Sequence, residues 1–368
     1  MAGVEAISDD GDYTSDSDCS DATCSRSRPA SPTTLFEDSL FSLFSHNQPA
    51  HGDPGDRRSY THLNLPAKYN DSNAPNKPTR IRYRIAQNSG TNTKLFAHHQ
   101  WDAGLYLADL IAEQSKGSTK GKERQDSFAD VRGRATVELG AGTGLPGLVA
   151  CLMGAATTVL TDYPDPLVIQ NLQQNLDLAI CRPNSARPDL SEQFREARRT
   201  ITVQGLGWGN AEEEATVLKH SPGDQGFDIV LAADVLWVSS AHPLLIQSIR
   251  KLLKRSRGAR CVLVAGFHTG RPAVRRFFLQ LAQEVVDLDP ERAGAGILPD
   301  WQAKHGGIWE RNVDGSERPW STGWIPSKTQ LRPSIPDGSW AHDDEDMGDI
   351  SDRGSWVVVA SLRWADLE

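Results

Sequence analysis

One stretch constrains this chain more than any other. It is Val137-Glu138-Leu139-Gly140-Ala141-Gly142-Thr143-Gly144, with Val159-Leu160-Thr161-Asp162-Tyr163 following. An apolar strand ends beside a carboxylate, turns on three glycines and enters an apolar helix, Leu145 to Met153. A second strand then ends in Asp162. Glycine permits left-handed turns and lets a ligand approach the backbone where a Cβ would block it. Asp162 stands about 20 residues past the loop, where a doubly wound sheet places the carboxylate that takes ribose hydroxyls. The pattern predicts a pocket for an adenosine-containing cofactor.

Gly142-Thr143-Gly144-Leu145-Pro146-Gly147 formally matches the dinucleotide fingerprint G-x-G-x-x-G. In that fold the first glycine follows the strand directly, and the helix N-terminus faces a pyrophosphate. Here Glu138-Leu139-Gly140-Ala141 intervenes and sets a carboxylate beside the loop. A carboxylate repels pyrophosphate and attracts a cation. S-adenosylmethionine, with an ammonium, a sulfonium and no phosphate, is the expected ligand. A nucleotide, or a glycine turn that binds nothing, are the competing readings.

The charge balance narrows the partners. With 39 Lys and Arg against 48 Asp and Glu, the chain carries a net charge of -9, which argues against a general nucleic-acid surface. It permits a basic partner such as a protein presenting lysines. No apolar run approaches the ~18 residues of a membrane span, and no signal-peptide core opens the chain. Cys19, Cys24, Cys151, Cys181 and Cys261 are scattered without a C-x-x-C pair. Reduced thiols in a cytosolic or nuclear compartment are expected, and no metal site.

Residues 1–75 are rich in Ser, Asp, Pro and Asn and read as a disordered acidic tail, broken by one sticky island, Leu35 to Phe44. Residues 76–368 read as one domain. Strand patterns fall at residues 79–87, 135–139, 158–161, 201–206, 227–236, 261–267 and 356–364. Helical spacing falls at 101–111, 145–153, 164–176, 242–254 and 271–286. Residues 115–130 read as a charged loop, 183–199 as an irregular charged insertion, and 287–350 as weakly patterned. Strands alternating with helices imply an α/β, doubly wound, mostly parallel sheet with right-handed crossovers, closed by a terminal hairpin.

These motifs carry a resemblance. Trp101-Asp102-Ala103-Gly104, the Glu138–Gly144 loop, Thr161-Asp162-Tyr163-Pro164-Asp165, Trp208 and Ala233-Asp234-Val235-Leu236-Trp237 resemble those of seven-strand S-adenosylmethionine-dependent methyltransferases. Within them, the chain is similar to the fungal group of nicotinamide N-methyltransferase-like proteins and of N-terminal and lysine methyltransferases of translation elongation factor 1-alpha. Thr-Asp-Tyr-Pro-Asp is specific to this group, whereas the glycine loop marks only the superfamily. The resemblance implies a Rossmann-like seven-strand sheet and a set of site residues. Backbone groups at Gly140, Ala141 and Gly142 would face the methionine end of the cofactor. Glu138 would orient the loop or the ammonium, or serve a helix dipole. Asp162 would take the ribose, or cap the next helix. Trp208 would edge the adenine and Trp101 close the pocket, unless either is a core tryptophan. Ala233 would leave room by its small size.

Asp234 and Trp237 are the expected catalytic pair. Asp234 would accept a hydrogen bond from the attacking amine or ease its deprotonation, and Trp237 would hold a cation against its face. The alternative makes Trp237 a core residue and Asp234 the cap of the helix near His242. The absence of an Asn/Asp-Pro-Pro-Tyr run at this edge favours protein amines over nucleobases. His98 and His99 read as solvated loop histidines. The expected activity is therefore cytoplasmic methylation of a protein lysine or N-terminal amine, with elongation factor 1-alpha as a candidate acceptor. Nicotinamide methylation and a non-catalytic scaffold are the alternatives.

Overall fold

A central sheet organises the chain in the order β11-β10-β12-β8-β7-β4-β5-β6, with β9 pairing β12 outside that path. Its strands are β4 (Ala135–Leu139), β5 (Thr157–Asp162), β6 (Ile201–Gly205), β7 (Ile229–Ala233), β8 (Arg260–Gly266), β9 (Ile297–Pro299), β10 (Ile308–Asn312), β11 (Glu317–Pro319) and β12 (Trp356–Trp364). The computed structural model describes residues 3–6, 51–68, 79–90, 95–116, 127–180, 191–267, 270–287, 296–320 and 354–367. Strands β6, β5, β4, β7 and β8 run parallel to one another. Strand β12 runs antiparallel to both β8 and β10, so seven consecutive strands form a sheet with one reversed member.

The helices are α1 (Asp102–Gln114), α2 (Leu145–Leu152), α3 (Pro166–Ile180), α4 (Glu192–Thr200), α5 (Ala211–Leu218), α6 (His242–Leu252) and α7 (Arg271–Asp287). They cover both faces of the sheet. One core layer joins Leu107, Ile111, Leu148, Leu172 and Phe194 of α1 to α4 to Leu160, Leu231 and Val262. The other joins Val217, Leu245, Ile249 and Phe277 of α5 to α7 to Val137, Val159, Val230 and Leu263. Parallel strands buried on both faces are continuous apolar runs for this reason.

The order of pairing positions the site. The chain leaves β4 toward β5 and β6, then returns to β7 on the other side of β4. The crevice at the carboxyl ends of β4 and β7 is the switch point where ligands bind in such sheets. In register, Leu139 lies beside Thr161 and Ala232, and Asp162 beside Gly205. The last residues of four strands thus meet at one edge.

The structure departs from the sequence expectations in three places. First, order begins before residue 76. Strands β1 (Gly3–Ala6), β2 (Arg57–Thr61) and β3 (Arg80–Arg84) form a separate antiparallel sheet. Tyr60 and Ile81 are fully buried in the same core as α1, and the Tyr60 hydroxyl donates to Asp109 at 2.7 Å. Alternation of Tyr60 with polar neighbours is a strand signal, but the surrounding Pro and Asn outweighed it. The Leu35–Phe44 island, Cys19, Cys24 and Cys181 lie outside the described residues.

Second, the charged stretches hide two helices. Helix α4 occupies the end of the expected irregular insertion, burying Phe194 and Ala197. Helix α5 starts at Asn210, whose side chain accepts from the N–H groups of Glu212 and Glu213 at 3.2 and 3.3 Å. An Asn cap followed by three glutamates in the first turn is a start signal that suits the helix dipole. Third, the weakly patterned stretch 287–350 contributes β9, β10 and β11, so the sheet has nine strands among the described residues. Strand β10 reads as polar because it carries Glu310. That residue is fully buried and is held by the guanidinium groups of Arg271 and Arg318.

Candidate functional site

The ten residues singled out from sequence converge on one cavity of about 340 Å³. Trp101, Glu138, Gly140, Ala141, Gly142, Asp162, Trp208, Ala233, Asp234 and Trp237 all line it. The volume lies within the range of about 300–1,000 Å³ usual for small-molecule pockets.

The glycine loop forms its floor. Gly140 has φ of 62°, and a Cβ there would stand 2.9 Å from Val235 and 3.4 Å from the Trp208 ring. Gly142 has φ of 55°, and a Cβ there would meet nothing within 4 Å. The first glycine lets the loop pass beneath Trp208, while the second leaves open space above the backbone. Pro146 in the first turn of α2 continues the floor.

Two carboxylates flank the loop. Asp162 accepts from the Gly142 N–H at 2.7 Å through one oxygen and from the Tyr163 N–H at 2.7 Å through the other. Burial raises its pKa, and those two N–H groups oppose the rise. Each oxygen keeps a further lone pair for a ligand hydroxyl. Glu138 is 1% exposed and accepts from the Gly147 N–H at 2.9 Å, in the first turn of α2. It therefore serves that helix N-terminus, as the helix-dipole reading expected, and it also lines the cavity. Burial pushes its pKa up to about 8; the Gly147 N–H opposes this, and the neighbouring Asp162 adds to it.

Trp208 rides on a loop braced from two helices. The Gly207 N–H donates to Glu213 at 2.6 Å. The Gly209 N–H donates to the Ser248 hydroxyl at 2.8 Å, which donates in turn to Glu214 at 2.7 Å. Trp208 is half-buried beside Gly140, so it walls the cavity and is not sealed in the core.

Asp234 follows Ala233 at the end of β7. Its backbone is left-handed, with φ of 59°, a conformation that Asp tolerates better than bulky residues. Its carboxylate accepts from the Gly266 N–H at 3.0 Å, which ties the β7 and β8 ends together. This carboxylate thus braces the end of β8. His242 sets its Nε2 2.9 Å from the Leu236 carbonyl. Trp237 is half-buried and meets Phe96 edge-on, with ring centroids 4.7 Å apart.

Sequence reasoning missed several residues of this edge. Phe96, Gln100, Thr143, Tyr163, Leu206 and Leu244 also line the cavity. The expectation of solvated histidines is corrected. His98 is 4% exposed, and His99 lines the cavity with its ring 4.7 Å from Trp101. Both rings pack within the segment itself, His98 on His99 and His99 on Trp101.

The arrangement fits S-adenosylmethionine. A buried carboxylate with spare acceptor positions suits a ribose, the open backbone at Gly142 suits a close-lying chain, and acidic groups suit a cationic ligand. Among the described residues, no cluster could hold a metal ion, and no helix is long and apolar enough to cross a membrane.

Comparison with known proteins extends the geometry. Over 192 residues the chain is 30% identical to Protein N-terminal and lysine N-methyltransferase EFM7 of Kluyveromyces lactis, covering 52% of this chain and 66% of that one. The Yarrowia lipolytica protein of that name is 32% identical over 178 residues, covering 48% and 58%. The Schizosaccharomyces pombe one is 30% identical over 213 residues, covering 57% and 70%. The chain thus spans between 58% and 70% of the length of these relatives. A family model described as lysine methyltransferase matches residues 83–284, a segment that contains all ten predicted site residues. The chain belongs to this lysine methyltransferase family, and its cofactor is S-adenosylmethionine.

Proposed function

We propose that this chain is an S-adenosylmethionine-dependent N-methyltransferase acting on an amine of a protein, either a lysine side chain or an N-terminal amine. The observation that carries the reading is that the ten residues singled out from sequence line one cavity and all fall inside the family match. The relatives named as protein N-terminal and lysine N-methyltransferases support a protein acceptor. Translation elongation factor 1-alpha is the first candidate acceptor, on the resemblance of residues 161–165 and 233–237. That acceptor would place the enzyme in the cytoplasm.

When bound, the cofactor supplies a methyl group on a sulfonium, open to in-line displacement by a neutral amine. The chain's own residues bind, align and exclude water. Asp162 would hold the ribose hydroxyls, Glu138 would face the positive end, and the Gly140–Gly142 backbone would support the methionine moiety. Trp208 would wall the adenine, and Trp101 with its His99 neighbour would close the pocket. Ala233 leaves space where a larger side chain would intrude. Trp237 steadies the incoming ammonium against its face; Asp234 accepts a hydrogen bond from it, eases loss of one proton to solvent and orients the lone pair so freed.

The test supplies labelled S-adenosylmethionine to the enzyme with elongation factor 1-alpha, or with nicotinamide, in parallel reactions. Mass spectrometry locates any methyl group on the protein. Label in a lysine or the N-terminus supports the reading. Label in nicotinamide alone overturns the protein acceptor, and no label with intact cofactor binding returns the chain to a scaffold.

A further inference from the structure

A buried amide stands where the helical pattern asks for an apolar residue. Val168, Leu172, Asn175 and Ala179 form the inward face of α3, and Asn175 is fully buried among them. An asparagine is a poor helix-interior residue, and burying its amide is costly unless every polar atom finds a partner. Here each does. Oδ1 accepts from the Arg84 N–H at 2.7 Å. Nδ2 donates to the Arg84 carbonyl at 2.9 Å and to the Thr143 carbonyl at 3.0 Å.

The first two bonds join the side chain to β3 as a neighbouring strand would be joined. The third reaches the glycine loop between Gly142, whose N–H is fixed on Asp162, and Gly144. Thr143 is also gripped through its hydroxyl, which donates to the Gln100 side chain at 2.6 Å. The Gln100 carbonyl in turn accepts from the His51 N–H at 2.9 Å. Both grips on Thr143 therefore lead into the N-terminal segment. Strand β2 lies wholly outside the family match, and β3 mostly so.

We propose that Asn175 is a positioning residue of the cofactor site, and that it makes the small N-terminal sheet a working part of that site by clamping the glycine loop to β3. The inference rests on the reading of the cavity as an S-adenosylmethionine site. A loop released from the clamp samples conformations in which Gly142 and Asp162 no longer face one ligand. Binding then carries the cost of reordering, and cofactor affinity falls while the acceptor side stays intact.

The test compares Asn175→Ala with Tyr60→Phe in the full chain. The second variant removes the Tyr60 to Asp109 bond, another attachment of the same sheet, with no contact to the loop. Calorimetry with S-adenosylmethionine is paired with hydrogen exchange of the Gly140–Thr143 amides and with melting temperature. Asn175→Ala is expected to raise the cofactor Kd at least tenfold and to speed exchange in the loop. Tyr60→Phe is expected to lower the melting temperature and leave Kd within twofold. Should Asn175→Ala fail to fold, Asn175→Ser, which keeps a hydroxyl donor, takes its place with the same expectations. Binding within twofold in the Asn175 variant, or equal weakening by Tyr60→Phe, overturns the inference. If the wild-type chain fails to bind, the cofactor reading itself falls. Exchange then decides the clamp, and an unchanged loop overturns it.

Discussion

With Glu138 facing the cofactor's cationic end, as proposed, cofactor binding is expected to be a proton-coupled event in a usable pH window. Its carboxyl is held at about 8 by burial, with Asp162 adding to the rise against the Gly147 N–H. At pH 7 such a group is about nine-tenths protonated. A cationic ligand beside it favours the carboxylate, so binding expels close to one proton. The apparent Kd then scales with 1 + 10^(8 − pH), as long as the bound group stays ionised. Between pH 7 and pH 5.5 this weakens binding about 30-fold, or ~2 kcal/mol. The window lies below the titration of the ligand's own α-amine, at about 7.7–8.0, so only the protein's groups change. The raised value also fixes the sign for the free protein. The folded state holds the proton more tightly than the unfolded chain. Its stabilising effect is complete below the unfolded value of 4.5 and is lost as pH rises through about 8. Titration calorimetry in two buffers of different ionisation enthalpy counts the protons released at pH 7. Glu138→Gln keeps an oxygen for the Gly147 N–H and is expected to flatten the profile. A wild-type Kd that is constant from pH 5.5 to 7, with no buffer dependence, refutes the placement of Glu138 against the cation.

Asp162→Ala removes a charged acceptor and is expected to weaken cofactor binding by roughly 10- to 100-fold, about 1.5–3 kcal/mol; unchanged calorimetric affinity would take Asp162 out of the site. A chain beginning at residue 76 loses β2 with its buried Tyr60. Loss of one core aromatic costs about 3–5 kcal/mol, so the melting temperature is expected to drop by roughly 10 °C, and an unchanged value would show that the sheet contributes nothing. Asp234→Asn retains an oxygen for the Gly266 N–H, so cofactor affinity is expected to shift by less than about 1 kcal/mol while turnover falls by about 10²-fold. Trp237→Ala is expected to raise the acceptor KM. A parallel loss of melting temperature, cofactor affinity and turnover in these two variants would make both residues structural.

What was legible in the sequence is what local backbone geometry demands. Gly140 and Gly142 are glycines because the loop turns left-handed there, and Asp162 must end β5 to meet the Gly142 N–H. Such requirements are written in short runs, and the parallel strands are written as apolar ones. Strand β10 obeys a different logic. Glu310 marks it as surface until Arg271, 39 residues away, is known to neutralise it in the core. Helix α4 likewise shows only Phe194 and Ala197 to the interior, too few apolar positions to outweigh its charges.

The same division runs through the site. The residues expected to meet the ligand all line one cavity, and their types are legible because a ligand imposes chemistry on residue type. The residues that hold them are not, because a brace needs only a hydrogen-bonding atom in the right place. Glu213 holds the Gly207 N–H and Glu214 the Ser248 hydroxyl beneath the Trp208 loop, and nothing in their local sequence marks either as a brace. Asn175 is polar by type, yet it is fully buried and spans 91 residues to reach Arg84. Polarity read along the chain says that a group needs a partner. It does not say whether that partner is water or a backbone brought in by the fold, and in this cofactor pocket the loops are held by the second kind.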